Sequence, residues 1–227
     1  MSDATKEMAL RKLEAMDFYI GGPDAENAAS PLDEAEILAP EDGGSYFSNA
    51  MAIRKAKLVA DVQRGSMPVN VEQYVWQGIG GAIAENWVYA PDVNAVILPM
   101  AGLQAPVYDL TASEEENLAT LGITIAHEIT HAFDSDGANY DETGSLSNWW
   151  TEADRAQFDA LCEEIVAYYD GWECAPGIAT DGGLTLGENI ADLGAMNCLM
   201  DIAATQPDFD YKAFFEKMAR MFVDTDS

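Results

Sequence analysis

Ile123-Thr-Ile-Ala-His127-Glu128-Ile-Thr-His131-Ala-Phe-Asp134 is the stretch on which the interpretation of this 227-residue chain turns. It holds the only two histidines in the sequence. Residues four apart on a helix stand one above the other, so His127 and His131 present two imidazoles from one face. Glu128 sits one position round, within reach of a water between them. Two histidines at this spacing with an adjacent glutamate form the H-E-x-x-H pattern: two zinc ligands and the general base of a metal-assisted hydrolysis. The surrounding Ile123, Ile125, Ala126, Ile129, Ala132 and Phe133 mark the helix as buried, where unpartnered imidazoles would be costly.

A hydrolytic zinc site normally takes three protein ligands and leaves one position open, so a third residue is needed. No other histidine exists, and Gly137 stands where a metzincin would carry its third, six residues after His131. A carboxylate from a downstream helix is the remaining common solution. Gly187-Glu188-Asn-Ile-Ala-Asp192 supplies two acids four apart on a side flanked by Leu184, Leu193 and Ala195. Paired carboxylates facing a core call for a cation, with Glu188 as ligand and Asp192 accepting an imidazole N–H. Thr185-Leu-Gly-Glu188 is also a capping box, in which Glu188 would do no more than satisfy a backbone donor.

Outward from this centre, the chain has 11 Lys plus Arg against 40 Asp plus Glu, a net charge of −29. Such a surface disfavours nucleic acid and anionic membranes as partners. No run approaches a membrane span, and the first residues lack a signal peptide's pattern. If Met1 is the native start the chain is cytoplasmic; a longer parent could be extracellular or membrane-anchored. Cys162, Cys174 and Cys198 fit neither a disulfide framework nor a thiolate zinc site and read as buried free thiols.

Helical periodicity runs over residues 4–18, 46–64, 184–204 and 210–223, and a further helix after Thr151 would turn Phe158, Leu161, Ile165, Val166 and Tyr169 inward. Ser113-Glu-Glu-Glu116 is a capping box opening the histidine helix, and Thr151 an N-cap after Trp149-Trp150. Residues 87–89 and 95–98, parted by Pro91-Asp92, predict a hairpin whose edge could accept an extended peptide. Asp134-Ser-Asp136-Gly137 misses EF-hand spacing and reads as a polar turn. Residues 23–44 read as an acidic surface loop. The expected class is α+β, helix-rich, with a small sheet beside the H-E-x-x-H helix. Residues 1–45 would form an N-terminal helix and acidic loop, and 46–227 the catalytic domain.

His127-Glu128-Ile-Thr-His131-Ala-Phe-Asp134, Trp149-Trp150-Thr151 and Leu184-Thr-Leu-Gly-Glu188-Asn-Ile-Ala-Asp192-Leu-Gly194 together resemble the neprilysin-like M13 zinc metallopeptidases, which are gluzincins. Asn86 to Tyr89, Ile97-Leu98-Pro99 and Leu103-Gln104 are similar to further family segments, in family order. The resemblance implies a thermolysin-like zincin fold and a zinc endopeptidase cleaving oligopeptides on the amino side of bulky apolar residues. It implies one Zn2+ per chain held by His127, His131 and Glu188, with Glu128 activating a zinc-bound water. Asp192 would orient a ligand histidine, and Asn86 would hydrogen-bond the peptide backbone. Trp87 and Val88 depart from the family's Ala-aromatic pair at the substrate edge. The family's region before the catalytic domain caps the cavity, and residues 1–45 would be a remnant of it. The family also uses a C-terminal His and Arg at the oxyanion, which this chain lacks. Loss of such a donor costs on the order of a hundredfold to a thousandfold in rate. The alternative is therefore a truncated relative that binds zinc and peptide with impaired catalysis.

Overall fold

The uncharged run Ala95-Val96-Ile97-Leu98 can be satisfied only between two covering layers. It becomes β3 (Ala95–Pro99), the middle of a three-stranded sheet, and every one of its residues is buried. The structure, a computed structural model, describes residues 1–24 and 35–221. The part of the acidic loop at 25–34 and the end of the last predicted helix at 222–223 lie outside those residues. β2 (Val88–Ala90) pairs antiparallel with β3, as the hairpin pattern predicts, with Tyr89 opposite Val96. Asn94 closes the turn with φ 47°, a conformation that asparagine tolerates better than most residues. Its amide is locked between the Tyr89 hydroxyl and the Lys12 carbonyl, each at 2.9 Å.

The third strand departs from expectation. Periodicity carries a helix through Phe18, but α1 (Asp3–Glu14) ends with Ala15 as its cap, and Asp17–Gly21 forms β1, parallel to β3. Five consecutive residues of β1 pair along β3, from Asp17 opposite Ala95 to Gly21 opposite Pro99. This distant pairing outweighs the local helical pattern.

Ser113 makes both bonds of its capping box and starts α4 (Glu114–Asn117), which runs through one π-turn into α5 (Ile123–Thr130). α5 is covered on two sides. Ile125, Ile129 and Ala132 pack toward the sheet with Trp87, Tyr89, Val96 and Leu98. Ile123 and Ala126 pack toward Ala195, Leu199 and Ala203 of α7 (Leu186–Ala204) and Phe214 of α8 (Tyr211–Met221). Phe214 is fully buried, worth about 1.5–3 kcal/mol. A Cβ on Gly194 of α7 would collide with the Thr130 side chain, so glycine there sets how closely α7 lies on α5. Thr151 caps α6 (Glu152–Tyr169) as expected. A short hairpin, β4 (Glu173–Ala175) with β5 (Ile178–Ala179), was not signalled by the pattern.

These elements belong to one compact unit, residues 1–21 with 83–227; residues 22–82 form another. In the second unit Ser45 caps α2 (Tyr46–Arg64) over the predicted range. Asn70 caps α3 (Val71–Gly78), where the sequence pattern suggests no helix, its side chain accepting from the Gln73 N–H. Of the three thiols only Cys162 is buried; Cys174 and Cys198 are exposed, which corrects the expectation for both. Among the described residues no helix is long and apolar enough to cross a membrane. The architecture is a helix-rich α+β zincin fold with its small sheet beside the H-E-x-x-H helix.

Candidate metal centre

α5 delivers His127 and Glu128, and His131 follows at its C-cap. α7 delivers Glu188 in its first turn and Asp192 one turn on. Because α5 and α7 touch through glycine, alanine and threonine, the two rows of side chains meet at their rims. His127 Nε2 and His131 Nε2 lie 2.9 Å apart. Glu188 Oε2 is 3.2 Å from the first and 3.7 Å from the second. Glu188 and Asp192 are not turned into a core, as the flanking leucines suggest, but stand largely open to solvent at the rim. Thr185 makes no side-chain cap bond at the start of α7, which removes the capping alternative for Glu188.

The hydrogen bonds behind the imidazoles decide what this cluster can hold. His127 Nδ1 lies 2.8 Å from Asp192 Oδ1, and His131 Nδ1 lies 2.6 Å from Asp134 Oδ2. A carboxylate can only accept, so each Nδ1 carries the proton and each Nε2 turns a lone pair inward. Two lone pairs and a carboxylate oxygen then converge, with every ligand atom within 4.8 Å of the others. That arrangement is repulsive by itself and is satisfied by a cation. Two imidazole nitrogens and one carboxylate oxygen make a donor set suited to zinc with an open position.

Glu128 is 6% exposed. Burial pushes its carboxyl above the ordinary range, while His131, His127 and a hydrogen bond from the Tyr89 backbone N–H hold it back. His127 is raised, first by its bond to Asp192. For His131, burial acts to lower the pKa, but the bond and charge of Asp134 outweigh it and the net shift is upward. Asp134 is lowered despite its burial, because His131 and the N–H groups of Gly137 and Asp136 bond to its carboxylate.

A cavity of about 450 Å³ opens over the cluster, with Asn86, Trp87, Val88 and Tyr89 along one wall and Asp134 to Gly137 along another. A second cavity, about 410 Å³, lies on the other side of His127 and Glu128 and is lined by Ile123, Thr124, Asp192, Met196 and Met218. All six residues singled out by sequence therefore come together: His127, His131, Glu188, Glu128 and Asp192 in one cluster, and Asn86 in the wall above it. Sequence reasoning missed Asp134 as the partner of His131, although its place three residues on was the visible signal. It also missed the Tyr89 N–H and the methionine-lined cavity, which exist only once distant elements meet.

Known proteins resemble this chain in sequence and in structure. The sequence model of Peptidase family M13 matches residues 86–225. The neutral endopeptidase of Lactococcus lactis subsp. cremoris is 34% identical over 222 residues, 98% of this chain and 34% of that protein. Neprilysin-11 of Caenorhabditis elegans is 33% identical over 202 residues, covering 86% of this chain and 23% of the relative. The crystal structure of PepO from Lactobacillus rhamnosis HN001 superposes with a TM-score of 0.76 at 34% identity, over 97% of this chain and 34% of that one. Mycobacterium tuberculosis zinc metalloprotease Zmp1, in complex with an inhibitor, superposes at 0.70 with 26% identity, over 97% of this chain and 34% of that one. The chain spans about a third of the length of the curated relatives it matches first.

Proposed function

The chain belongs to peptidase family M13, and from that premise we propose that it is a zinc-dependent endopeptidase acting on oligopeptides at the amino side of bulky apolar residues. The observation that carries this is the convergence of two Nε2 lone pairs and Glu188 Oε2 beside a buried glutamate. One zinc ion per chain would be held by His127 Nε2, His131 Nε2 and Glu188. When bound there, zinc supplies Lewis-acid polarisation of a peptide carbonyl and acidifies water.

The remaining steps belong to the chain's own residues. Glu128, raised by burial, accepts a proton from the attacking water and passes it to the leaving amine nitrogen as the peptide bond breaks. Asp192 and Asp134 keep both imidazoles in the Nδ1–H form, so the inward nitrogens stay free. β2 pairs with β3 along one edge, and its other edge can add an extended peptide, with the Asn86 amide offered to the peptide backbone. The cavity lined by Ile123, Met196 and Met218 suits the bulky apolar side chain.

Elemental analysis should find about one zinc per chain, lost on His127→Ala or Glu188→Ala. A quenched fluorescent peptide with Phe or Leu after the scissile bond should be cut by the wild type and about 10²- to 10⁴-fold more slowly by Glu128→Gln. A second reading is a form that binds zinc and peptide through the same cluster, both of this chain's histidines serving the metal. Bound zinc with wild type and Glu128→Gln equally inert would favour this zinc- and peptide-binding form without turnover. Absence of zinc would refute both readings.

A further inference from the structure

Among the described residues Lys12 is one of the largest fully buried side chains, 1% exposed. A buried ammonium is expensive unless its three protons all find acceptors. Here they do: Nζ lies 2.8 Å from the Ala132 carbonyl, 2.7 Å from that of Gly137 and 2.8 Å from that of Tyr140. Burial pulls the group down to about 8, with Asp134, Asp141 and Asp136 opposing the fall, so it remains charged at neutral pH.

The location of those carbonyls matters more than their number. Ala132 and Gly137 bracket Asp134, the residue that fixes His131. On the inner side of the same turn, Asp134 Oδ1 accepts from the N–H groups of Asp136, at 2.8 Å, and Gly137, at 2.7 Å. Its Oδ2 is thereby left for His131 Nδ1. A Cβ on Gly137 would collide with the His131 carbonyl, so the loop doubles back directly against the histidine's own backbone. Lys12 reaches this turn from α1 and is anchored in turn, its carbonyl accepting from Asn94, which also receives the Tyr89 hydroxyl.

We propose that Lys12 is a positioning residue for the metal centre, its ammonium clamping the 132–140 turn so that Asp134 holds His131 with Nε2 facing inward. This rests on the reading of His131 as a zinc ligand. The three bonds of Lys12 go to backbone carbonyls and none of them to His131 or Glu128, so it acts through Asp134. Its removal should therefore weaken metal binding by the route that removal of Asp134 weakens it.

The test is a double-mutant cycle on the whole chain, with zinc affinity read by competition against a chromogenic chelator. Lys12→Met and Asp134→Asn should each weaken zinc by about 10- to 100-fold, the range for groups that orient metal ligands. The double variant should be little weaker than the worse single one. Circular dichroism checks folding at the assay temperature. Should Lys12→Met not fold, Lys12→Gln, which keeps two N–H donors, enters the same cycle. A folded Lys12 variant with unchanged zinc affinity overturns the proposal and leaves a purely structural lysine. Additive losses in the double variant overturn it as well. If the wild type binds no zinc, the reading of the metal centre fails, an outcome distinct from failure of the clamp.

Discussion

At the metal centre each imidazole is committed at Nδ1, and that commitment couples zinc to protons. Both histidines have folded-state pKa values above the ordinary one, His127 first through Asp192 and His131 through Asp134 against the effect of burial. The metal-free folded chain thus holds protons there more tightly than the unfolded chain. Their stabilising contribution is complete below the ordinary histidine value of about 6.5 and is lost as pH rises through the raised values. Zinc needs the same nitrogens unprotonated, so its affinity should climb over that interval, by up to about tenfold per pH unit for each proton displaced. Chelator competition between about pH 6 and 8 measures this. The Asp192→Asn variant should begin its climb at lower pH, yet bind zinc about 10- to 100-fold more weakly at the top of the range, because the tautomer is no longer fixed. A pH-independent affinity would contradict the assignment of both nitrogens.

The contact between α5 and α7 sets the distance from the histidines to Glu188, and it is made by residues with almost no side chain. Ala191 and Ala195 are fully buried, and Gly194 leaves room for Thr130, whose hydroxyl bonds back to the Ala126 carbonyl at 2.7 Å. Gly194→Ala should destabilise by about 1–3 kcal/mol, the usual cost of overpacking. Adding Thr130→Ala should recover part of that loss; denaturant unfolding of the four species measures the coupling, and strict additivity would count against a steric cause. Much of this element pair was legible beforehand, since the four-residue spacings of His127 with His131 and of Glu188 with Asp192 are local facts, as are the Ser113 and Thr151 caps. β1 was not, because Asp17 to Gly21 becomes a strand only by pairing with β3, far along the chain. Lys12 was hidden for a related reason: a lysine on an amphipathic helix ordinarily reads as a solvated face. Three backbone carbonyls more than a hundred residues away turn it inward. Distance along the chain explains both of these, though not Asp134, which lies only three residues from His131.

The whole molecule carries −29, with 40 acidic side chains against 11 basic ones. Among the described residues the ion pairs offset little of this: Arg11 with Glu7, Arg155 with Asp159 and Lys212 with Glu216 are helix-surface pairs four apart, of the kind worth about 0.3–0.5 kcal/mol. Self-repulsion among the carboxylates therefore dominates the long-range electrostatics and opposes the compact state. Salt shortens the screening length from about 30 Å at 0.01 M to about 8 Å at 0.15 M, which relieves many distant repulsions while weakening a few near attractions. The midpoint of thermal unfolding of the metal-free chain should consequently rise between those salt concentrations, by about 2–4 °C if the relief amounts to about 1 kcal/mol. Zinc responds in the opposite sense, because Glu128, Glu188, Asp192 and Asp134 surround the site and their field draws a divalent cation inward. Its association rate should fall as salt rises over the same range, and stopped-flow mixing with a zinc-sensitive dye measures that rate. A thermal midpoint that stays flat or falls with salt would show that local pairs, and not the net charge, govern the electrostatics of this fold.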